Sequence, residues 1–200
     1  MPSKIKPFYF EKKDIRICQG DIYKDLMYDV KSFKEGNSFK TLRVYLPFIV
    51  ILSQDCDLEQ DYKNREIRKD KHDKYLRTIL FSPAYNSEDL KAGTHLGHIK
   101  LTMEYYNSER MKIIRKNNNE RYHTIEKSED FEFPELVIDF KHYYTLPLEK
   151  AYETSFKKNY VCTINELYRE SLSHRFAFYL SRIGTPDNYT EENPTEAISK

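Results

Sequence analysis

The segment from Leu42 to Ser53 constrains the fold of this chain more than any other part of the sequence. Residues Leu46 to Leu52 form its longest apolar run, rich in β-branched and aromatic side chains. A run of this composition that is too short for a helix predicts a strand buried on both faces. Pro47 limits pairing at the start of that strand to an edge or a bulge, because proline has no N–H to donate. The core is therefore predicted to contain a β-sheet built around this strand.

The composition indicates one folded domain. A chain of 200 residues fits one domain, or one domain with a sizeable insertion. Its 17 Tyr and 12 Phe are too many for a solvated chain, and its 5 Gly and 8 Pro exclude collagen-like and low-complexity classes. We expect a single domain over residues 1–184 with an insertion near 57–120. Residues 185–200 have almost no apolar side chains and are expected to form a disordered tail.

Charge and cysteine content narrow the location and the partners. The 33 basic and 32 acidic residues leave a net charge of +1, so any binding to nucleic acid must come from a local patch. The longest apolar run is far shorter than the roughly 20 residues of a membrane helix, and no signal segment follows Met1. Three widely spaced cysteines without a C-x-x-C pair indicate reduced thiols. We expect a cytoplasmic, bacterial protein that does not bind membranes.

Shorter patterns complete the predicted fold. Further strands are predicted at 21–23, 75–81, 122–125 and 136–140, with residues 143–146 extending the last of them. The charged segment 59–74 is predicted to be a solvated helix or loop, and residues 100–116 are predicted to be helical. An apolar stripe predicts a final helix up to Ile183, with Thr163 and Glu166 as its capping box. These elements predict an α+β fold, mainly β: a small, strongly bent antiparallel barrel with a polar helical insertion and a C-terminal amphipathic helix.

Four pieces of the chain, in order, resemble the PemK/MazF growth-inhibitor family. They are Gly20-Asp21-Ile22-Tyr23, the segment Leu46–Asp55, Leu136-Val137-Ile138-Asp139, and the closing helix. Members of that family begin with a Gly-Asp-Ile/Val strand, continue with an R-P-x-x-V-x-S strand, and reach a late D-x-x-x-T element. Asp139 and Tyr143-Tyr144-Thr145 stand where that late element is expected. The resemblance implies a Src-homology-3-like barrel of the PemK/MazF type in an RNA-binding, toxin-like or phage-defence-associated protein, with endoribonuclease activity as its expected chemistry.

The cluster Ser53-Gln54-Asp55-Cys56-Asp57 is the first candidate for a catalytic site, because polar residues follow a buried strand abruptly. In an extended chain Asp55 and Asp57 point the same way. They would then hold a divalent metal such as Mg²⁺, or one would act as a base whose pKa the other raises. Alternatively, one of them caps the charged segment that follows. A haloacid-dehalogenase-type D-x-D site is a further alternative, although Leu58-Glu59 replaces the usual Gly-Thr. No cofactor is expected; a divalent ion at these two carboxylates is the alternative.

Cys56 allows two other readings. It is a candidate nucleophile, or a zinc ligand together with His95 and His98, which have an H-x-x-H spacing. The simpler alternative is a small buried thiol. We expect no bound zinc.

A basic and aromatic cluster, Arg121-Tyr122-His123, is the second candidate site. Local positive charge with interleaved tyrosines suits single-stranded RNA, because cations pair with phosphates and rings stack on bases. His123 is a candidate acid or base for metal-free RNA cleavage. The alternative is a solvated helix face beside an ordinary barrel strand. The predicted catalytic residues are Ser53, Asp55, Asp57 and His123, and the predicted RNA-binding residues are Arg110, Arg115, Arg121 and Tyr122.

Two functions remain open from the sequence. The first is the RNA-binding, toxin-like protein, which the polar cluster after Leu52 favours. The second is a non-catalytic barrel module that recruits a partner protein, such as an antitoxin or a defence-system component, in a multi-gene system. Leu46 favours the second, because family members that cut RNA usually have Arg before the proline. RNA and a partner protein are thus the expected partners, and the oligomeric state stays open.

Overall fold

The computed structural model describes residues 8–13, 16–36, 38–65, 67 and 72–182. The strands of this part are β1 (Tyr9–Phe10), β2 (Asp21–Glu35), β3 (Ser38–Ile51), β4 (Thr78–Asn86), β5 (Tyr122–Ile125), β6 (Leu136–Asp139), β7 (Tyr144–Pro147) and β8 (Tyr160–Ile164). Its α-helices are α1 (Asp55–Arg65), α2 (Ser87–Ala92), α3 (Ser108–Arg115), α4 (Leu148–Ala151), α5 (Thr154–Lys157) and α6 (Glu166–Leu180), and a 3₁₀ turn spans Gly97–Ile99.

All strand pairs of the described sheet are antiparallel, in the order β1-β8-β2-β3-β4-β6-β5. β6 and β7 pair with different parts of β4. β7 pairs with the part where Leu80 is opposite Thr145, and β6 pairs from Ala84 onward. The sheet curls so that Tyr28 of β2 packs against Tyr144 of β7, with ring centroids 5.1 Å apart. The predicted α+β class with a bent antiparallel sheet is confirmed, and the sheet forms a curled half-barrel.

β3 lies between two hydrophobic cores, as the apolar run predicts. Ile49, Val50 and Ile51 have no exposed surface. Ile49 and Ile51 belong to the core between the sheet and helices α1, α4 and α5, whereas Val50 belongs to the core beneath α6. Alternate side chains of a strand point to opposite faces, so a continuous apolar run fills both cores at once.

β2 and β3 continue beyond the sheet as a two-stranded arm, residues 24–47. β8 pairs with β2 only from Asp21 to Tyr23, and β4 pairs with β3 only from Phe48 to Ile51. The β2–β3 pairing itself runs on to Glu35 and Ser38. Six large apolar side chains of the arm are more than two-fifths exposed: Met27, Val30, Phe33, Phe39, Leu42 and Tyr45.

Two local predictions about helix starts are wrong. The chain is not extended through Asp57, because α1 begins at Asp55; carboxylates in a first helical turn are favoured by the helix dipole. Thr163 does not cap α6, because its hydroxyl donates to Asp21 inside the sheet at 2.7 Å. The residue before α6 is Asn165, which makes no side-chain capping bond.

Other segments differ from the predictions in extent. Only Ser108–Arg115 of the predicted helix 100–116 is helical, because the side chain of Asn107 caps it there by accepting from the N–H of Arg110. β7 pairs with β4 and does not extend β6. β4 lies within residues 57–120. The helices of this segment therefore lie in two separate parts of the chain, one before β4 and one after it. The expected tail, 185–200, lies outside the described residues. No helix of the described residues combines the length and apolar character that crossing a bilayer requires.

Candidate functional site

Ser53 closes the end of the β3–β4 pair. Its hydroxyl oxygen accepts a hydrogen bond from the N–H of Leu80 at 2.7 Å, and its own N–H donates to the carbonyl of Leu80 at 3.3 Å. Both bonds lie within the end of the sheet, and they give this predicted catalytic residue a structural role.

Asp55 joins three separate parts of the chain. Its carboxylate accepts hydrogen bonds from the Arg16 guanidinium at 3.1 and 3.3 Å and from the Gln19 N–H at 3.1 Å. Arg169 of α6 lies 3.5 Å away. Burial alone would raise the pKa of Asp55, but the hydrogen bonds from Arg16, the charges of Arg169 and Arg16, and the Gln19 N–H outweigh it and hold the pKa below its ordinary value. Asp55 therefore ties the segment before β2 and helix α6 to the start of α1.

A second acidic residue anchors the neighbouring strands. Asp21 is fully buried, and its carboxylate accepts from the Thr163 hydroxyl at 2.7 Å and from the Cys18 N–H at 2.9 Å. Lys12 forms an ion pair with it. Desolvation raises the pKa of Asp21, and Lys12 opposes that shift. The pair links β2, β8 and the chain after β1.

Asp57 has quite different surroundings from Asp55. It is exposed, and within the described chain its carboxylate has one hydrogen-bond partner, the Cys56 Sγ at 3.8 Å. Two positions along a helix turn through about 200°, so Asp55 and Asp57 point apart instead of sharing a cation. Among the described residues, no group of three or more His, Cys, Asp or Glu side chains is placed to hold a metal ion. Cys56 and His98 are exposed, whereas His95 is buried beside Tyr85.

The predicted RNA-binding arginines of α3 are neutralised locally. Arg110 forms an ion pair with Glu104. Arg115 donates to Glu135 at 2.7 Å and to Glu88 at 3.0 Å.

Tyr122 is 3% exposed, and its hydroxyl lies 2.9 Å from that of Tyr106. Its ring is therefore covered and is not presented to a base.

His123 is buried on β5 and 7% exposed. Burial, with a smaller contribution from the charge of Arg175, lowers the pKa of His123 to about 3. Its Nδ1 is buried with no hydrogen-bond partner among the described atoms. The contacts of the described residues do not bring His123 together with Asp55 or Asp57. A histidine in this position is neutral and shielded, which does not suit the predicted catalytic role.

Arg121, in contrast, belongs to a polar cluster at the start of β5. Its Nε donates to Asp139 Oδ1 at 2.8 Å, and its Nη2 donates to Oδ2 at 2.5 Å. Asp139 ends β6 and has no exposed surface, whereas the Arg121 side chain is 27% exposed. The Nη1 of Arg121 has no partner among the described residues, so it remains able to bind an anion.

His142 and Tyr85 are the residues of this cluster that the sequence reasoning missed. The chain turns after β6 with a bond from the His142 N–H to the Asp139 carbonyl at 2.9 Å. This turn brings His142 Nδ1 to 3.5 Å from Asp139 Oδ2 and 3.3 Å from the Tyr85 hydroxyl. The D-x-x-H spacing directly after a predicted strand was a signal for this pair.

The surroundings of His142 favour its neutral form. Burial lowers the pKa of His142, and the opposing charge of Asp139 does not fully compensate. The side chain is 21% exposed, and its Nε2 has no partner within the described chain. His95 packs against the Tyr85 ring, with ring centroids 4.8 Å apart, and both of its ring nitrogens are buried without a hydrogen-bond partner among the described atoms. We call Arg121, Asp139, His142, Tyr85 and His95 the Asp139 cluster.

The Asp139 cluster combines groups that acid–base chemistry needs. A carboxylate that contacts one imidazole nitrogen orients the ring, which leaves the other nitrogen to take a proton. A guanidinium on the same carboxylate can hold an anionic substrate.

The chain matches no protein-family model, and no curated protein matches it. Its function is therefore inferred from its own residues.

Proposed function

We propose that the protein is a PemK/MazF-type barrel that binds RNA and cleaves it without a metal ion at the Asp139 cluster. The observation that carries this proposal is the contact of His142 Nδ1 with the Asp139 carboxylate, to which Arg121 also donates hydrogen bonds. Arg121, which the sequence predicted to bind RNA, shares this carboxylate with His142 and keeps its Nη1 without a partner among the described residues. The proposal assigns the base to His142 and not to His123, which is buried and has a pKa of about 3.

In the proposed reaction the RNA 2′-hydroxyl attacks its own phosphate. His142 Nε2 takes the proton of that hydroxyl, since the ring is neutral near pH 7. Asp139 holds the ring and stabilises its protonated form. Arg121 Nη1 binds the phosphate and offsets the negative charge that develops on it. Water protonates the departing 5′ oxygen.

The topology is compatible with the proposed barrel type. The Gly-Asp-Ile piece starts β2, the Leu46–Asp55 piece contains the end of β3 and the first residue of α1, and the Leu136–Asp139 piece is β6. α6 closes the fold, as the resemblance implies. Asp139, the acidic residue of the late element, is the centre of the cluster, and this position supports assigning the activity there.

A direct assay tests the proposal. Purified protein is incubated with total RNA, with and without EDTA, and the fragments are resolved by electrophoresis. We expect cleavage that survives EDTA and falls at least about 100-fold in His142→Ala, the usual scale for a lost general base. His174→Ala changes an exposed histidine of α6 and should retain full activity. Equal cleavage by both variants, or intact RNA with the unmodified protein, would contradict the proposal.

A second candidate function is the non-catalytic interaction module. The exposed apolar side chains of the arm favour it, because isolated two-stranded ribbons are marginally stable in water and exposed apolar patches mark protein contacts. Expression in a heterologous bacterium separates the two functions. Growth arrest that His142→Ala relieves supports cleavage, whereas harmless expression together with intact RNA supports the module.

A further inference from the structure

A small slot lies where β5, the segment around β1 and the first turns of α6 meet. Its volume is about 110 Å³, and Phe8, Tyr9 and Tyr168 contribute aromatic walls to it. Phe8 stacks on Tyr168 with ring centroids 4.0 Å apart. The slot opens to solvent at Phe8, Glu126 and Ser171, which are exposed. Because a closed cavity of about 150 Å³ holds one benzene ring, an open slot of this size admits a single six-membered ring.

The slot contains a buried histidine whose hydrogen bonds the protein does not make. His123 lines the slot and is 7% exposed. Neither of its ring nitrogens has a hydrogen-bond partner among the described residues. Since its low pKa keeps the ring neutral, His123 offers one N–H donor and one acceptor. A buried polar group costs free energy until it is paired, so a ligand that hydrogen-bonds to His123 is favoured over one that does not.

Two further groups at the slot have unused hydrogen-bonding capacity. The Oδ1 of Asn117 accepts from the Thr124 N–H at 2.7 Å, and its Nδ2 has no partner within the described chain. Among the described residues that line the slot, Glu126 alone carries a charge, and it has no ion-pair partner there. Tyr9 holds this residue in place, because its hydroxyl donates to the Glu126 carbonyl at 2.6 Å. The slot therefore presents both donors and acceptors beside its aromatic walls.

The charges around the slot disfavour an anion. An anion would face the Glu126 carboxylate with no cation in the slot to offset it. Arg175, whose charge reaches His123, does not line the slot, and its guanidinium already donates to three backbone carbonyls.

The hydrogen-bonding groups select among the remaining ligands. An alkylammonium ion would leave the donors of His123 and Asn117 unused, and a hydrocarbon ring would leave every polar group of the slot unpaired. A nucleobase meets both requirements, because its edge carries donors and acceptors and its faces stack on aromatic side chains. The space for one ring favours a pyrimidine over a two-ring purine.

We propose that the slot binds one pyrimidine base, from an unpaired nucleotide of a strand or from a free nucleoside. The ring enters beside Tyr168, and its acceptors take hydrogen bonds from His123 and Asn117. An N–H of the base donates to the Glu126 carboxylate.

This site is separate from the Asp139 cluster. The β5–β6 register places His123 opposite Ile138 and Tyr122 opposite Asp139. Neighbouring residues of a strand point to opposite faces, so the His123 side chain and the Asp139 side chain lie on opposite faces of the pair. Base binding in the slot therefore does not depend on the proposed RNA cleavage.

Nitrogen-15 NMR of the histidine rings tests the proposal. Cytidine or uridine should shift the ring nitrogens of His123 and leave those of the exposed His98 unchanged. His123→Gln identifies the resonances of His123. Adenosine should bind more weakly than either pyrimidine nucleoside.

Matched variants locate the base. Tyr168→Leu should weaken cytidine binding at least about fivefold, the lower end of the loss expected for one base–aromatic stack. Tyr105→Leu changes an exposed tyrosine outside the slot and should bind as the unmodified protein does. Glu126→Ala should weaken cytidine at least about threefold, whereas Glu109→Ala, at an exposed position of α3, should not.

A deoxycytidine hexamer separates the two sources of the base, since it lacks the 2′-hydroxyl and cannot be cleaved by the proposed reaction. Tighter binding than cytidine with the same shift at His123 would assign the slot to a strand, and equal binding would assign it to a free nucleoside. The proposal is overturned if none of these pyrimidine ligands shifts His123, if adenosine binds more tightly, or if both tyrosine variants weaken cytidine equally. Because His142→Ala should bind cytidine normally, the result is separate from the RNA assay.

Discussion

Asp55 and Asp57 share the first turn of α1, yet Asp55 contacts two arginines and Asp57 contacts neither. The substitution Asp55→Asn should lower the free energy of unfolding by about 2 kcal/mol, because hydrogen bonds to charged groups contribute about this much. Asp57→Asn, the matched change, should stay within about 0.5 kcal/mol. Urea unfolding at pH 7 measures both values. Equal effects would mean that Asp55 does not join the three segments.

His123 should make the fold sensitive to acid. Its pKa is about 3 when folded, against an ordinary value of 6.5, so the unfolded chain binds a proton that the folded chain excludes. Stability from this group is therefore complete above pH 6.5 and is lost as the pH falls toward 3. Between pH 7 and pH 4.5 the loss is about 2 to 3 kcal/mol.

A neutral replacement isolates this contribution. His123→Gln is expected to cost stability at pH 7, and its deficit should shrink by the same 2 to 3 kcal/mol at about pH 4.5. His98→Gln, at an exposed position, should keep the stability of the unmodified protein at pH 7. The unfolding free energies come from urea curves at each pH. If they changed equally with pH in His123→Gln and in the unmodified protein, His123 would be accessible to protons in the folded state.

If RNA cleavage uses His142, its rate should fall as the pH is lowered. Burial lowers the pKa of His142, so the base form persists below the ordinary value of 6.5. The rate should be constant near pH 7 and fall about tenfold per pH unit only below that lowered pKa. Single-turnover cleavage of a labelled oligonucleotide measures the profile. A rate that rises toward acid pH would exclude His142 as the base.

Of the glycines that the structure describes, Gly93 is the one at which an added methyl group lies nearest to other atoms. Its φ of 72° is left-handed, and a Cβ would lie 2.3 Å from the Met103 carbonyl oxygen. Gly93→Ala should cost about 3 kcal/mol or more, combining left-handed strain with overpacking. Gly36→Ala, with φ of 60° and open space, should cost about 1 to 2 kcal/mol. Thermal unfolding compares them, and equal losses would show that the close approach relaxes freely.

Thiol labelling should distinguish the three cysteines. Cys18 and Cys162 are buried, and burial raises their pKa values to about 11 and about 12, so their reactive thiolates are scarce. Cys56 is exposed. Dithionitrobenzoate should therefore label one thiol rapidly in the folded protein, and Cys56→Ser should abolish that phase. Rapid labelling of two or more thiols would contradict the buried positions.

The elements that were predictable from the sequence have strong local patterns. β3 is a continuous apolar run, and α6 has an apolar stripe from which Leu172 and Phe176 are buried. β8 was missed because its residues, Tyr160–Ile164, carry no turn signal distinguishing them from the helix that follows. Thr163 and Glu166 fit a capping box, but a buried carboxylate, Asp21, competes for the threonine hydroxyl.

The candidate site was less predictable because its parts are remote in sequence. Arg121 was singled out for its charge, but its partner Asp139 is 18 residues away and meets it only through the β5–β6 pairing. His123 looked like an accessible base, yet strand alternation and the packing of α6 bury it. Local sequence gives residue types, while burial depends on contacts between distant segments.

The position of β8 also has a consequence for synthesis of the protein. β8 lies between β1 and β2, pairing Thr163 with both Phe10 and Asp21. Until Tyr160–Ile164 has been translated, no strand connects β1 to β2, and the edge of β2 that pairs with β8 stays exposed. Such long-range closure folds slowly and leaves a growing chain open to aggregation. A nascent chain of this protein therefore needs β8 before β1 and β2 are joined, and ribosome pausing before β8 is translated would prolong the exposure of those strands to chaperones and proteases.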